Sequence, residues 1–336
     1  MHHRVLISSS SFLDTPGQHL DLLKSSPLEV VSARGPLSAE KIISIVQAQG
    51  PFAGFICGED EFNSDVIESI APHAKVISKY GVGIDKIDLS AAERNGIKVA
   101  NTPGVNHTTV AELTIGLLLS LVRQIPEHNS YVHAAQWRRL TGVELAGKTL
   151  GIVGFGRVGR EVAIRAMAFG MQVVGYNSSW SRDHRTFAHD VNQVYASPLF
   201  GKRAPFLRHV RDIETLLEES DFVSLHMNLT KENRNFLNAT RLARCRRGVY
   251  IINVSRAALV EESAIVAGLR SGAIAGYATD VFEPAPVLPG NPLLGLPNVV
   301  LTPQIGSRTV ESVERQGTFA LRNLLDVLRA PTHGSL

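Results

Sequence analysis

The chain has 336 residues, of which 44% are hydrophobic, and its formal net charge is +3. This length predicts about two domains of roughly 100 to 200 residues each, and so small a charge gives no argument for a nucleic-acid partner. The longest apolar stretch, residues 113 to 122, is well short of the roughly 20 residues that cross a bilayer, and the N-terminus has no signal-peptide layout. We therefore expect a globular cytoplasmic protein that does not enter membranes.

The two cysteines, Cys57 and Cys245, lie far apart in the chain and without the spacing of metal ligands. A disulfide framework or a zinc site is not expected from this pattern. We interpret both side chains as inert thiols and predict no metal.

Strand-like apolar runs alternate with helix-length amphipathic stretches. The first hundred residues contain RVLISSS (4–10), LEVVSA (28–33), FAGFICG (52–58), AKVISKYG (74–81) and IKVAN (97–101). A second series contains KTLGIVGFG (148–156), MQVVGYN (171–177), DFVSLHM (221–227), GVYIINVS (248–255), IAGYATDVF (274–282) and NVVLTPQ (298–304). The alternation predicts an α/β fold with parallel sheets, and such continuous β-branched runs suit strands that are buried on both faces.

Two long helices are also predicted. Residues 106–128 have a continuous apolar face that ends near Pro126, and we expect one helix that bridges two domains. Residues 310–330 have helical periodicity, and the last residues, 331–336, are expected to be a frayed tail.

A glycine-rich turn follows the strand-like run at 148–156 and precedes a helix. Gly154 permits a tight turn, Gly156 allows a close approach to a pyrophosphate, and Gly159 allows the helix to pack on the strand. The unpaired amides at the helix start favour a bound anion; they belong to Phe155, Gly156, Arg157 and Val158. This strand-turn-helix context favours a dinucleotide site over a merely structural turn.

The residues at the end of the next strand indicate whether the site prefers NAD or NADP. An acidic residue there would bind the ribose hydroxyls of NAD, but this chain has Asn177, followed by Ser178, Ser179 and, slightly later, Arg182. Small hydroxyls and a cation suit a 2′-phosphate. We therefore favour NADP over NAD, although these residues are also typical of a polar turn.

Six sequence blocks in order make the chain resemble the D-isomer-specific 2-hydroxyacid dehydrogenases, the family of phosphoglycerate dehydrogenase and glyoxylate/hydroxypyruvate reductase. The blocks are YGVGIDKIDLSAAERNGIKVANTPGVNHTTVAEL (80–113), GIVGFGRVGR (151–160), SLHMNLT (224–230), INVSRAALVEE (252–262), GYATDVFEPAP (276–286) and NVVLTPQIGS (298–307). The resemblance implies two Rossmann-like, doubly wound domains with the active site in the cleft between them. It implies a substrate domain at 1–101 plus 308–336 and a dinucleotide-binding domain at 102–307.

The resemblance also implies roles for single residues. Arg256 matches an arginine that holds the substrate carboxylate and polarises its carbonyl, Asp280 matches an aspartate that contacts the nicotinamide carboxamide, and His226 falls in a cofactor-binding block. Arg256, Asp280 and Gln304 each follow a predicted parallel strand, where open α/β sheets bind ligands.

A second glycine turn, at Gly81, Val82 and Gly83, resembles the family's carboxylate-binding loop, and its amides could bind an anion. Lys79 precedes this turn and could add positive charge to the substrate site. The simpler interpretation of Lys79 is an exposed lysine at a strand end.

The family pattern breaks at the position of its proton-transferring histidine, which is Gln304 here. The glutamate that supports this histidine is replaced as well, by Ala285. Glutamine cannot exchange a proton near neutral pH, although its amide can donate a hydrogen bond. Glu283 is not counted as a replacement, because many relatives carry it beside the usual glutamate.

Three explanations remain open. Another side chain could supply the proton; the candidates are His107, Lys79, Tyr80 and Tyr277. The substrate could need no proton, as in hydride donation of the formate type. Finally, the protein could bind a dinucleotide without turnover, as a sensor or partner protein. We favour the enzyme: an NAD(P)-dependent oxidoreductase that acts on a small anionic 2-hydroxy or 2-oxo acid and, like its relatives, forms a homodimer.

Residues 180–211 are longer than the corresponding family segment. They are basic and contain interleaved aromatic residues, a pattern also typical of nucleic-acid surfaces; the basic residues are Arg182, Arg185, Lys202, Arg203, Arg208 and Arg211. Because the segment begins where the adenosine end of the cofactor should lie, we favour phosphate contact, a lid or a dimer extension. A solvated loop is the remaining alternative.

Overall fold

The computed structural model describes residues 3–196 and 206–329. The chain divides into two compact units, which are described separately. Unit 1 comprises Met1–Asn106 and Ser307–Leu336, and unit 2 comprises His107–Gly306. Lys202 and Arg203 of the basic segment and the predicted tail at 331–336 lie outside the described residues.

Unit 1 contains a five-stranded parallel sheet with the strand order β2-β1-β3-β4-β5. Its strands are β1 His3–Ile7, β2 Leu28–Ser32, β3 Gly54–Cys57, β4 Val76–Lys79 and β5 Lys98–Ala100. Its helices are α1 Ser10–Asp14, α2 Gln18–Lys24, α3 Ala39–Gln49, α4 Ser64–Ile70, α5 Leu89–Arg94 and α13 Val310–Arg329.

Both faces of this sheet are covered by apolar cores. In β4, Val76 belongs to the core that includes α13, whereas its neighbour Ile77 belongs to the core that includes α3 and α4. Successive side chains of a strand point to opposite faces. An unbroken apolar run therefore fills both cores, as the sequence pattern predicts for buried parallel strands.

Unit 2 contains a seven-stranded parallel sheet with the order β12-β11-β10-β9-β6-β7-β8. Its strands are β6 Thr149–Val153, β7 Gln172–Tyr176, β8 Leu207–His209, β9 Phe222–Leu225, β10 Val249–Asn253, β11 Ile274–Thr279 and β12 Val299–Leu301. Its helices are α6 His107–Val122, α7 Ile125–His133, α8 Arg157–Ala168, α9 Arg182–Tyr195, α10 Ile213–Glu219, α11 Ala239–Leu242 and α12 Glu262–Ser271.

The strand order of unit 2 reverses between β6 and β9, and open parallel sheets bind ligands beyond the carboxyl ends of their strands at such a point. Ile152 and Val153, adjacent in β6, enter the two opposite cores of the unit. The predicted fold class, α/β with two doubly wound parallel sheets, is confirmed.

The prediction of one helix over residues 106–128 is wrong. Helix α6 ends at Val122, and Gln124 adopts a left-handed conformation (φ 51°) before α7 begins at Ile125. Pro126 lies in the first turn of α7, where a missing N–H costs no intrahelical hydrogen bond. Proline thus starts the second helix instead of ending the first. No single described helix has the length and apolar composition to span a bilayer; α6 and α7 meet that criterion only as a pair, across a 63° bend.

The basic segment is not a solvated loop over residues 182–195, because it forms α9. Ser181 caps this helix by accepting a hydrogen bond from the His184 amide, and His184 completes a capping box. Phe187, Val191 and Tyr195 pack against the core that α6 and α8 share. Much of the segment is therefore an integral layer of unit 2.

Candidate active site

The glycine turn after β6 depends on a residue without a side chain. Gly154 has φ 93°, a conformation that other residues rarely adopt. A Cβ atom there would lie 2.5 Å from the Met227 amide nitrogen and 2.6 Å from the His226 carbonyl carbon. The chain after β9 therefore passes directly against this turn.

The next two glycines of the turn fit a bound pyrophosphate. Gly156 is the N-cap of α8, and a Cβ atom there would meet nothing within 4 Å, so space is free beside the first helical amides. A Cβ at Gly159 would lie 2.4 Å from the Gly154 carbonyl oxygen, which shows how closely α8 packs on the turn. Phe155 is fully buried, so only its backbone could meet a ligand. The arrangement offers helix N-terminal amides to an anion.

The residues after β7 form a local polar turn. The Asn177 side-chain amide donates to the Ser179 carbonyl oxygen at 3.1 Å. Ser178 and Ser179 are exposed, and Arg182 stands exposed in the first turn of α9. These polar groups could therefore bind a phosphate. The hydrogen bond from Asn177 to Ser179 also fits the alternative interpretation, a polar turn.

An aromatic stack lies beside this turn. Trp180 stacks on His209, at 4.1 Å between ring centroids, and on His184, at 5.0 Å. Phe155 tilts against Trp180 at 5.0 Å. Burial lowers the pKa of both histidines, so the stack carries no charge at neutral pH. Sequence reasoning missed this stack, because no local pattern links Trp180 to His209.

His226 follows β9. Its Nε2 atom lies 2.8 Å from the Ser224 hydroxyl, and its Nδ1 atom is buried without a hydrogen-bond partner among the described residues. Burial lowers the pKa of His226 to about 3. The imidazole is therefore neutral, and one of its ring nitrogens is buried without a hydrogen bond.

Arg256 lies on a loop that a buried asparagine fixes. Asn253 accepts from the Ser255 amide at 3.1 Å and donates to the Arg256 carbonyl oxygen at 2.9 Å. The Ser255 hydroxyl donates to the Met227 carbonyl oxygen at 2.5 Å. The Arg256 side chain is half-buried, and its Nη1 donates to the Ser255 carbonyl oxygen. No pattern in the sequence marks Asn253 as a support of this loop, although it ends a buried strand within the block 252–262.

Asp280 organises the loop that carries Gln304. Its buried carboxylate accepts from the Thr302 hydroxyl at 2.6 Å and from the amides of Ile305 and Gly306, both at 2.8 Å. Burial raises the pKa of Asp280, although these hydrogen bonds act in the opposite direction. Three donors of this loop already use the carboxylate. The contact with the nicotinamide carboxamide that the resemblance implies remains a prediction.

Gln304 is exposed at the tip of this loop and adopts a left-handed conformation, with φ 56°. Ala285 is half-buried. Glu283 is exposed and pairs with Arg234 through both carboxylate oxygens, each at 3.0 Å. The Glu283 carboxylate is therefore already paired, with Arg234.

In unit 1 the interpretation of Lys79 as an exposed lysine is wrong. Only 3% of its side chain is exposed, because β4 is buried, and its ammonium group donates to Glu59 at 2.6 Å and to the Gly58 carbonyl oxygen. Its Nζ atom lies 4.0 Å from the position of a Cβ at Gly81. A buried charge thus stands against the second glycine turn.

That second turn offers two backbone donors. The Gly81 amide already donates to the Thr102 hydroxyl at 3.0 Å. Asn101 donates to the Val82 carbonyl oxygen at 2.7 Å, but within the described residues no acceptor faces the amides of Val82 or Gly83. These two amides could bind an anion.

The alternative proton donors differ in their surroundings. Tyr277 is buried in the core of unit 2, and burial raises its pKa to about 12. Burial also raises the pKa of Tyr80 to about 12. His107 begins α6, with its Nδ1 atom buried and without a partner among the described residues. Tyr277 is the least accessible of the three.

Replacing Asp280 by alanine is expected to lower the free energy of unfolding by about 3 kcal/mol, because a part-buried hydroxyl and two amides would lose their acceptor. Asp280→Asn keeps one oxygen acceptor and should cost less. Urea unfolding measures both values, and exposed Asp190, changed to alanine, is the control. Equal effects of Asp280→Ala and Asp190→Ala would contradict the role of Asp280 in holding the loop.

The fold of unit 2 and its glycine turn define a Rossmann-type dinucleotide-binding protein. Comparison with known proteins is more specific: residues 115–306 match the family model described as "D-isomer specific 2-hydroxyacid dehydrogenase, NAD binding domain". The chain belongs to the D-isomer-specific 2-hydroxyacid dehydrogenase family. This match confirms three predictions: the family, a nicotinamide cofactor, and an oxidoreductase that acts on 2-hydroxy or 2-oxo acids.

Individual relatives agree with this assignment. The chain is 40% identical over 278 residues to a glyoxylate reductase of Thermofilum pendens, covering 80% of this chain and 76% of the relative. It is 35% identical over 300 residues to a hydroxypyruvate reductase of Thermotoga maritima, covering 88% of this chain and 90% of the relative. The crystal structure of the TT0316 protein from Thermus thermophilus is similar with a TM-score of 0.80 and 38% identity, covering 97% of this chain and 96% of that structure.

Proposed function

We propose that the protein is an NADP(H)-preferring reductase of small 2-oxo acids, which also oxidises the corresponding D-2-hydroxy acids. The observation that carries this proposal is Arg256, held by Asn253 at the carboxyl edge of the same sheet that bears the glycine turn. Both named relatives, the glyoxylate reductase and the hydroxypyruvate reductase, are consistent with such substrates.

Each residue of unit 2 has a proposed role. The Arg256 guanidinium holds the substrate carboxylate in a bidentate pair and polarises the carbonyl group. Gln304 donates at most a hydrogen bond to the carbonyl oxygen, and Asp280 keeps the Gln304 loop in place while contributing to the nicotinamide site. When bound, the nicotinamide would supply or accept the hydride. The proton on the substrate oxygen would be exchanged with water, because Gln304 cannot exchange a proton near neutral pH.

The proposed cofactor site combines the amides from Phe155 to Val158 with the space beside Gly156. His226 adds a neutral ring nitrogen. Asn177, the two serines and Arg182 are proposed to meet the adenosine ribose and its 2′-phosphate. NADP is preferred because none of these four side chains repels a phosphate.

Changing Asn177 to aspartate tests the cofactor preference. The new carboxylate should repel the 2′-phosphate, and the ratio of kcat/KM with NADPH to kcat/KM with NADH should fall at least about tenfold. The control is Asn95→Asp, an exposed site in unit 1 that gains the same charge. An unchanged ratio in Asn177→Asp would contradict the placement of the 2′-phosphate beside this residue.

Unit 1, with boundaries near residues 101 and 308, is proposed as the substrate domain, and the remainder as the dinucleotide domain. The amides of Val82 and Gly83 and the buried ammonium of Lys79 are its proposed contributions to anion binding. The location of the active site in a cleft between the domains stays a prediction.

A second candidate function follows from Gln304 and Ala285, which by the resemblance stand where the family has the two parts of its proton relay. A protein with these two residues could bind the dinucleotide without turnover, or transfer hydride to a substrate that needs no proton. The absorbance of the reduced nicotinamide distinguishes the two candidate functions. The protein is mixed with NADPH or NADH and with glyoxylate, hydroxypyruvate or a longer 2-oxo acid, and the absorbance is followed over time. Turnover supports the reductase, whereas tight cofactor binding without turnover supports the second candidate.

We further propose a homodimer. Helix α7 and the segment after it expose apolar side chains, a pattern that marks interaction surfaces; these are Ile125, Val132, Trp137 and Leu140. Sedimentation equilibrium that returned the monomer mass of 36.5 kDa would contradict this proposal. The cytoplasmic location and the lack of nucleic-acid or membrane partners stay predictions from the sequence.

A further inference from the structure

His184, in the first turn of α9, contacts two different turns of unit 2. Its Nδ1 atom accepts a hydrogen bond from the Ser181 amide at 3.1 Å and lies 2.6 Å from the Ser181 hydroxyl. Because a backbone amide can only donate, Nδ1 carries no proton, and the proton of the neutral ring lies on Nε2. The ring also hydrogen-bonds to the backbone of Phe155, in the glycine turn. His184 therefore connects the start of α9 with the glycine turn.

Ring packing and an ion pair strengthen this connection. The His184 ring stacks on Trp180, which in turn tilts against Phe155, and the ring centroids lie 5.0 Å apart in both pairs. Asp183, the neighbour of His184, pairs with Arg160 of α8 at 2.5 Å. The start of α9 is thus held against both the glycine turn and the helix that follows it.

The start of α9 also sets the position of the groups that are proposed to bind the 2′-phosphate. Strand β7 ends at Tyr176 and α9 begins at Arg182, so these groups lie on the short segment 177–181 and on the first helical residue. The segment is fixed at one end by the sheet and at the other by the capping box of Ser181 and His184. A change at His184 would therefore move the adenosine part of the site relative to its pyrophosphate part.

We propose that neutral His184 is a positioning residue for the dinucleotide: it holds the segment 177–182 against the glycine turn, and it releases this segment when it gains a proton. The inference rests on the proposed cofactor site and adds an acid-sensitive control of that site. His184 acts through Ser181 and Phe155, and it takes no part in hydride or proton transfer.

Protonation breaks the connection at a defined atom. A proton from water would add to Nδ1, which then becomes a donor, so the Ser181 amide loses its acceptor. The charged or titratable groups that face His184 are Arg160 of α8, the adjacent Asp183 and His209 of β8. Burial, more than the charge of Arg160, lowers the pKa of His184 below its ordinary value of 6.5. The stabilisation by the capping box is therefore fully present above pH 6.5 and is lost as the pH falls below it.

An ordinary helix cap is the alternative interpretation. The capping box usually has glutamate or glutamine at this position, and that side chain serves the helix end alone. His184 has an aromatic ring that stacks on Trp180 and a second nitrogen that carries a proton, and its ring bonds to the Phe155 backbone. These additional contacts all lead toward the glycine turn, which a simple cap does not require.

Calorimetric titration with NADP⁺ tests the positioning role without turnover. In His184→Ala the dissociation constant should rise about tenfold, because the cap and the contact with the glycine turn are both lost. His184→Gln should stay within about threefold of the unmodified protein at pH 7.5, since its side-chain oxygen still accepts from the Ser181 amide. The control is His189→Gln, which replaces an exposed ring later in α9. A dissociation constant in His184→Ala within about twofold of the unmodified protein would overturn the proposal.

The same titration at several pH values tests the release by acid. Between about pH 8 and about pH 5.5, NADP⁺ binding should weaken about fivefold more in the unmodified protein than in His184→Gln, which cannot titrate. The 2′-phosphate itself titrates near roughly pH 6, but it does so equally with both proteins. Identical pH dependence of the two proteins would overturn the release. Relatively tighter binding by the unmodified protein in acid would overturn it as well, because charged His184 would then attract the phosphate.

Hydrogen exchange of the protein without cofactor separates this proposal from the proposed function. Amide protection in the segment 177–186 should fall in acid in the unmodified protein relative to His184→Gln, and it should be low at every pH in His184→Ala. This result would support the role of His184 even if no 2-oxo acid were reduced, in which case the reductase proposal alone fails. Equal protection of the segment in all three proteins would overturn the role of His184, whatever the protein reduces.

Discussion

The Arg256→Ala variant is expected to lose about 10³-fold in kcat/KM for 2-oxo acids. Removal of a single donor that stabilises developing charge on oxygen typically costs 10² to 10³-fold, and Arg256 is also proposed to hold the substrate carboxylate. The dissociation constant for NADPH should change little, because the proposed cofactor contacts lie on the glycine turn. Stopped-flow absorbance and a fluorescence titration measure the two quantities.

Arg246→Ala is the matched control for this loss. Arg246 pairs with Asp221 at 3.1 Å, and both residues precede their strands, at the amino edge of the same sheet. The control should therefore keep its turnover. Undiminished kcat/KM in Arg256→Ala would refute the assigned role of that arginine.

The second large expected effect is an increase in kcat. The double variant Gln304→His, Ala285→Glu should raise kcat by about 10²-fold, within the 10² to 10⁴-fold range of general acid–base catalysis. Gln304→His alone should give little, because the imidazole would lack the carboxylate that raises its pKa. Glu283 cannot substitute for that carboxylate while it pairs with Arg234.

The backbone conformation at position 304 can accommodate a histidine. Gln304 has φ 56°, a left-handed conformation in which histidine is enriched among non-glycine residues. Gln304→Asn, which fits the same backbone but cannot titrate, is the control. A pH profile of kcat should show a new ionisation only in the double variant. A full gain from the single histidine change would refute the coupling of the two positions.

Features with a local physical cause were predictable from the sequence. The buried strands were visible as unbroken apolar runs, since both faces of each sheet are covered. The turn at Gly154 was visible because strand, glycines and helix are contiguous, and the structure adds the reason: a Cβ there would collide with the chain after β9.

Features that depend on distant partners were not predictable. The break at Gln124 leaves the apolar periodicity of 106–128 intact, so periodicity alone indicated one helix. The burial of Lys79 depends on Glu59, which comes from the neighbouring strand end. The stack of Trp180 on His209 joins residues 29 positions apart whose contact only the sheet order creates. Asn253 lay within the strand-like run 248–255, and nothing in that run indicated that its side-chain hydrogen bonds would fix the loop of Arg256.

The same stack gives the chain an intrinsic optical probe. The sequence has two tryptophans. Trp180 stacks on two imidazoles, whereas Trp137 is 83% exposed. A water-exposed indole emits at longer wavelength than a packed one, so the two emissions separate spectrally. If the proposed adenosine site lies beside this stack, cofactor binding should change the fluorescence of Trp180 in a Trp137→Phe background, which needs neither a label nor a reaction.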